Sequence, residues 1–137
     1  MLPKEIVKQM IENDAFSKWL GLEILELSKG FCKLKMLVRE EMTNGFSIAH
    51  GGISYSLADS ALAFAANSEG THSLSIETSI SHTKKVNSGD CLIATTQKIK
   101  NDSKTSSYNI IIENQNNTQV ALFKGIVFHT SKKWKKI

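Results

Sequence analysis

The chain has 137 residues, of which 41% are hydrophobic and 22% charged, and a formal net charge of +4. That length suits one domain with a real core and is too short for two ordinary ones, and the composition is that of a soluble globular protein. No uncharged stretch is apolar enough to span a bilayer, and Met1 to Ile11 mixes Lys4, Glu5 and Lys8 with Ile6 and Val7, without the apolar core of a secretory leader. A cytoplasmic protein with no membrane attachment is therefore expected.

Taken in chain order, residues 3 to 18 predict a packing helix. Pro3 suits a first turn, and Ile6, Val7, Met10, Ile11 and Phe16 recur at helical spacing. Trp19 to Leu27 and Phe31 to Arg39 predict two strands joined by Ser28-Lys29-Gly30. Cys32, Leu34, Met36 and Val38 alternate with Lys33 and Lys35, which makes a hairpin with one wet face. After Gly52 the period changes: Ile53, Leu57, Ala61 and Phe64 fall on one side with Ala58, Leu62 and Ala65 beside them, as far as Asn67 to Gly70. A helix apolar on most faces must be buried, and its Ala, Ser and Gly content lets other backbones come close. Four strands follow, His72 to Lys85, Cys91 to Lys100, Thr105 to Asn114 and Gln119 to Thr130, separated by Asn-, Asp-, Ser- and Gly-rich turns. With no internal repeat and no Pro after Pro3, one domain over 1–137 is expected.

The last seven residues, 131–137, carry Lys132, Lys133, Lys135 and Lys136 around Trp134, and removing those four lysines leaves no net charge. The basicity belongs to a tail, and short basic ends are usually solvated rather than nucleic-acid surfaces. No nucleic-acid partner is expected. Cys32 and Cys91 stand alone inside strand-like runs and read as reduced core residues. His72, His82 and His129 have no His, Cys or carboxylate at ligand spacing, so they read as structural and no metal site is expected.

Between Glu41 and Glu69 the chain carries one formal charge, Asp59, in a run of Ala, Ser, Gly and Leu that opens with His50-Gly51-Gly52. An ionised carboxylate on such a helix loses hydration, so it is normally paired, kept protonated or used for chemistry. No Lys or Arg lies within a turn or two of it. A solvent-facing or interface role is the competing reading. Gly51 and Gly52 stand where the helix begins, with unpaired N–H groups at the positive end of its dipole and no Cβ in the way, so they can hold a developing oxyanion or simply form a turn. Asp59 lies eight residues beyond Gly51, about 12 Å along the axis, so one helix cannot bring both to one carbonyl. If both act on the same carbonyl, Asp59 must come from a second chain across a two-fold axis, which predicts at least a homodimer.

The element order, one antiparallel sheet with a single buried helix in mid-chain, is that of an α+β hotdog fold, in which the sheet wraps a long central helix. The stretch Asn44-Gly45-Phe46-Ser47-Ile48-Ala49-His50-Gly51-Gly52, followed by Leu57-Ala58-Asp59, by Ala63 to Gly70 and by Val120-Ala121-Leu122-Phe123-Lys124-Gly125, resembles the hotdog thioesterases of the PaaI type, named for phenylacetate degradation. The resemblance spans roughly Gly21 to Thr130. It implies hydrolysis of acyl-CoA thioesters, aryl-acetyl or hydroxyphenylacetyl ones included, without metal or redox cofactor, in dimers that pair again into tetramers. By matching positions, Asn44 and the Gly51 N–H would polarise the carbonyl and Asp59 of the partner would be base or nucleophile. His50 would lie near the sulfur or orient Asn44, and Ser75 would orient water, with Ser73 and Ser79 on the same strand face. Lys84 and Lys85 are the leading contacts for the CoA phosphates, where many relatives carry an aromatic residue and then Arg-Pro; Arg39, Lys100 and Lys124 are further candidates. Gly52 and Tyr55 are expected to touch substrate, and Phe46, Leu62 and Phe64 either line the acyl pocket with Tyr55 or belong to the core.

Two other classes compete. A hotdog hydratase or dehydratase would carry an Asp five residues before the His, and position 45 is Gly. A non-catalytic acyl-CoA binding module would fit if Asp59 serves only an interface. A Gly-x-Ser-x-Gly nucleophile elbow is absent.

Overall fold

The computed structural model describes all of residues 1–137. The N-terminal segment forms two helices, α1 over Pro3–Glu12 and α2 over Ala15–Leu20, where the periodicity predicts one. Asp14 divides them: its side chain accepts from the Ser17 N–H at 2.9 Å, the N-cap contact that starts a new helix. Trp19, expected to open a strand, lies instead in the last turn of α2. That helix ends on Gly21 at φ 73°, a left-handed conformation that a side chain would strain. The Arg39 guanidinium donates to the carbonyls of Trp19 and Leu20 there, placing a cation at the helix C-terminus. Arg39 is thus engaged in capping α2 rather than held out for a nucleotide.

The hairpin follows, β1 over Glu23–Ser28 and β2 over Phe31–Leu37, and then a single 3-10 turn at Glu40–Met42. The central helix α3 runs Gly51–Asn67, and β3 (Thr71–His82), β4 (Cys91–Asn101), β5 (Thr105–Glu113) and β6 (Gln119–Lys133) complete one antiparallel sheet in the order β1-β2-β4-β5-β6-β3. The strict alternation predicted for β2 is present, with Cys32, Leu34 and Met36 buried and Lys33 and Lys35 more open.

Helix α3 packs on the face of this sheet and joins its apolar residues into one core with Leu34, Ile110, Ile112 and Phe123. Its small residues allow the close approach that the sequence predicts, and β6 contributes a gap of its own. A Cβ on Gly125 would stand 2.6 Å from Leu62 Cδ2, so glycine is what lets the Leu62 side chain seat against the strand. Burial pushes the Cys32 thiol up to about 12, which keeps it a neutral core residue.

The C-terminal end departs from the expected solvated tail. β6 continues through Lys133, the Trp134 N–H donates to the Gly70 carbonyl, and the Trp134 indole N–H donates to Asn67 Oδ1 at 2.9 Å. The lysines stay on the surface while the indole is anchored. A single aromatic side chain supplies enough contact area to order an otherwise charged end.

Candidate active site

The first half of the site is assembled around the start of α3. His50 is its N-cap, and the His50 Nδ1 accepts from the Gly52 N–H at 2.9 Å. An accepting Nδ1 puts the proton of the neutral ring on Nε2. The contact also occupies the Gly52 N–H, so of the two glycines only Gly51 keeps a backbone donor without an intrachain partner. Asn44 sits at the base of the loop before the helix. Its Oδ1 accepts from the Phe46 N–H at 2.9 Å and the Ile48 N–H at 3.4 Å, holding a tight loop in which Ser47 takes a left-handed φ of 61°. With the oxygen engaged by two N–H groups, the amide orientation is fixed and Nδ2 is left as a free donor. His50 makes no hydrogen bond to Asn44; the loop backbone orients Asn44 instead.

Asn44, Gly51, Ser54, His82, Lys84 and Lys85 line one open cleft of about 330 Å³. His82, read from the sequence as structural, stands across from the helix start, its Nε2 3.4 Å from where a Cβ on Gly51 would be. Nothing in its local sequence marks it, because only the end of β3 folding back over α3 creates the proximity. Lys84 and Lys85 are exposed and carry the cleft's positive charge.

Asp59 lies elsewhere. Together with Ser75 it lines a second cavity of about 330 Å³, walled mainly by Met10, Leu62, Leu74, Val127 and Trp134. No ion pair reaches Asp59, since the salt bridges of the structure join other residues. Its carboxyl is held above the usual carboxylate range, first by burial and then by the negative charge of Asp14. Asp14 is tied to the same region through Ser17, whose hydroxyl contacts both the Asp14 carboxylate and Ser60 Oγ, the latter at 2.8 Å. Asp14 and Met10 carry no mark of a site in the sequence, because only the packing of the N-terminal helices against α3 brings them near Asp59.

The hydroxyls of β3 are not equivalent. Ser73 and Ser75 both line the Asp59 cavity, but Ser73 is buried with its Oγ 2.7 Å from His129 Nδ1, while Ser75 is exposed. The register shifts between Ser75 and Glu77, and after that bulge it is Thr78, not Ser79, that turns toward the helix, where its hydroxyl meets Tyr55. Ser79 therefore leaves the face it shares with Ser75 in a regular strand. Tyr55 packs edge-on against Phe123 with ring centroids 5.1 Å apart and lines neither cavity. Phe64 is core, whereas Phe46 is 86% exposed beside the Gly51 cleft. No group of three or more His, Cys, Asp or Glu side chains is placed to hold a metal ion, and no helix is long and apolar enough to cross a membrane.

Comparison with known proteins identifies the family. The model of the thioesterase superfamily matches residues 46–121. The acyl-coenzyme A thioesterase PaaI of Escherichia coli K12 is 40% identical over 116 residues, covering 85% of this chain and 83% of that protein. The solved structure of the E. coli PaaI protein, from the phenylacetic acid degradation operon, superposes with a TM-score of 0.92 at 36% identity over 96% of this chain and 95% of the other. A variant of the phenylacetic acid degradation protein PaaI from Thermus thermophilus gives a TM-score of 0.82 at 30% identity, over 85% and 100% of the two chains. Fold and relatives converge: the chain belongs to the thioesterase superfamily, as a PaaI-like thioester hydrolase with the hotdog fold.

Proposed function

We propose that this enzyme hydrolyses acyl-CoA thioesters to a free acid and CoA in active sites shared between two copies of the chain. The observation that carries the reading is the separation of two complementary half-sites: unpartnered donors at Asn44 and Gly51 in one cavity, and an unpaired carboxylate at Asp59 in another. A two-fold axis that runs the α3 helices antiparallel brings the cleft of one protomer to the carboxylate of its partner. The free edge of the sheet supports such pairing. β3 is an edge strand of 12 residues, and Leu74 and Ile76 on it are 64% and 61% exposed, an open edge that proteins normally cover.

In that arrangement the thioester carbonyl oxygen accepts from the Gly51 N–H and the Asn44 Nδ2–H, which stabilise negative charge as it develops. The partner's Asp59 either takes a proton from water or attacks the carbonyl carbon itself, and Ser75 beside it positions the water. Water contributes its hydroxyl to the acyl group and its proton to the departing thiolate. The reaction needs no metal or redox group, since the thiolate is a good leaving group. Lys84 and Lys85, on the rim of the cleft with the donors, face the CoA phosphates. Aryl-acetyl thioesters are the preferred substrates, a choice supported by the PaaI relatives and by the apolar wall beside Asp59.

The direct test is free-thiol release from acetyl-, decanoyl-, benzoyl- and phenylacetyl-CoA by wild type and Asp59→Asn side by side. Wild-type release, greatest with phenylacetyl-CoA and lost in the variant, is the expected result. Binding of CoA esters with no thiol release from any of them would assign the chain to non-catalytic acyl-CoA capture instead.

A further inference from the structure

The proposed reaction uses Asp59 and Ser75 and counts the apolar wall of their cavity as a whole, without a role for any one residue of it. One component of that wall comes from far along the chain. Trp134, just beyond β6, lines the cavity together with Met10 of α1. Its indole is held from three directions. The ring stacks on His72 with centroids 4.1 Å apart and planes 18° apart, Nε1–H donates to Asn67 Oδ1, and the backbone N–H donates to the Gly70 carbonyl. Asn67 is itself buried and fixed, donating to the carbonyls of Ala63 and Ser73 and accepting from the Ser73 N–H. A ring pinned at its face, its edge and its backbone is a rigid wall rather than a loose end.

The chemistry of the two cavities says what this wall meets. The Gly51 cleft carries the lysines and opens to solvent, so it suits the charged CoA arm. Once the carbonyl is placed at the Gly51 and Asn44 donors, the acyl group must leave in the other direction. In the shared site proposed above, the volume on that side is the partner's Asp59 cavity, which is mostly apolar and whose walls carry no lysine or arginine. The indole is one face of that wall.

We propose that Trp134 closes the acyl pocket beside Asp59, so that this C-terminal indole sets the length and width of the acyl group that the enzyme accepts. The inference rests on the thioesterase reading above, and it makes Trp134 a specificity residue, not a catalytic one. A fixed aromatic wall rejects a longer substrate by steric conflict, and apolar pockets commonly discriminate one or two methylene groups by about tenfold or more.

Two measurements test it. In Trp134→Ala, the ratio of kcat/KM for decanoyl-CoA to that for acetyl-CoA is expected to rise at least about tenfold. An equal fall for every acyl group, with the ratio unchanged, would show a merely structural role and overturn the inference. Trp134→Phe guards against a folding failure, because it keeps a ring against His72 while giving up the bond to Asn67 and part of the ring area; a smaller shift of the ratio in the same direction is expected. The second measurement needs no turnover. Trp19 and Trp134 are the only tryptophans, and Trp19 lies on α2 outside both cavities, so in Trp19→Phe the emission reports Trp134 alone. A non-hydrolysable S-decyl thioether of CoA should shift or quench that emission, and CoA itself should not. An unresponsive Trp134 in a protein that still hydrolyses decanoyl-CoA would sink the acyl-wall proposal and leave the thioesterase reading standing. An emission change in a protein that releases no thiol would do the reverse.

Discussion

The two ends of α3 present cavities of the same size and opposite chemistry. The cleft at the helix start holds donors and lysines and no carboxylate, with Asn44 Nδ2 and the Gly51 N–H free of partners. The cavity further along holds a carboxylate and a hydroxyl on a mostly apolar wall, and no lysine or arginine. Held apart, Asp59 stays unpaired and half-buried. The difference teaches that one chain keeps its donors and its carboxylate in separate cavities, so that each half of the proposed shared site can be disabled without disturbing the other.

The largest effect should follow from removing the carboxylate. Asp59→Asn is expected to lower kcat by at least about a hundredfold, with the oligomeric state unchanged by size-exclusion chromatography. The same variant should melt no lower than wild type at pH 7. The folded carboxyl lies above its ordinary range because burial disfavours the ionised form, so ionised Asp59 costs the fold stability above the unfolded pKa, and that cost is relieved as pH falls through the raised folded value. Asparagine removes it. Scanning calorimetry at pH 7 checks the sign, and a lower Tm there would mean that the ionised carboxylate is stabilised by contacts.

The other half is disabled most cleanly by Asn44→Asp. The new carboxylate can still accept from the Phe46 and Ile48 N–H groups, so the loop survives, but the free Nδ2 donor is replaced by an oxygen that repels an oxyanion. A loss of about a hundredfold or more in kcat is expected, the scale of a missing oxyanion donor. Co-expressing Asn44→Asp with Asp59→Asn then sharpens the comparison. In a shared site each mixed dimer regains one intact site of two, so random mixing should restore about a quarter of wild-type activity. No recovery in mixed dimers would place both groups in the same protomer's site.

A smaller effect belongs to the neighbour of Asp59. Raised by burial and by the Asp14 charge, Asp59 should give kcat/KM an acid limb above the ordinary carboxylate range, with activity falling as pH drops through it. Asp14→Asn preserves an N-cap for α2 and removes the charge, so the limb should move to lower pH while kcat on the plateau stays close to wild type. The smallest effect is expected at the cleft rim. Lys84→Ala and Lys85→Ala should each raise KM for acyl-CoA a few-fold, in keeping with the roughly 0 to 1 kcal/mol of an exposed charge contact. The effect should shrink with added salt and vanish for a pantetheine thioester lacking the nucleotide.

Much of this was legible in the residues themselves. The period changes from two to helical and back, so the hairpin, the buried helix and the four later strands can be placed within a few residues of their ends. The lone charge of Asp59 in an apolar run, and the glycines before it, mark both proposed half-sites, and their spacing along a rigid helix already separates them. What the chain alone did not disclose depends on contacts between distant segments. His82 joins the Gly51 cleft because β3 turns back over the start of α3, the Gly52 N–H is claimed by His50 across a cap, and a bulge after Ser75 exchanges Thr78 for Ser79. Trp134 shows the limit most plainly. Four lysines around it read as a solvated tail, because local polarity is all that a terminal segment displays. Its anchors lie 60 or more positions earlier, at Asn67, Gly70 and His72, and only folding brings them together. Periodicity and charge spacing act along the chain and can be read there; a cavity wall is made by side chains whose proximity the sheet order creates, and that was decided by tertiary structure alone.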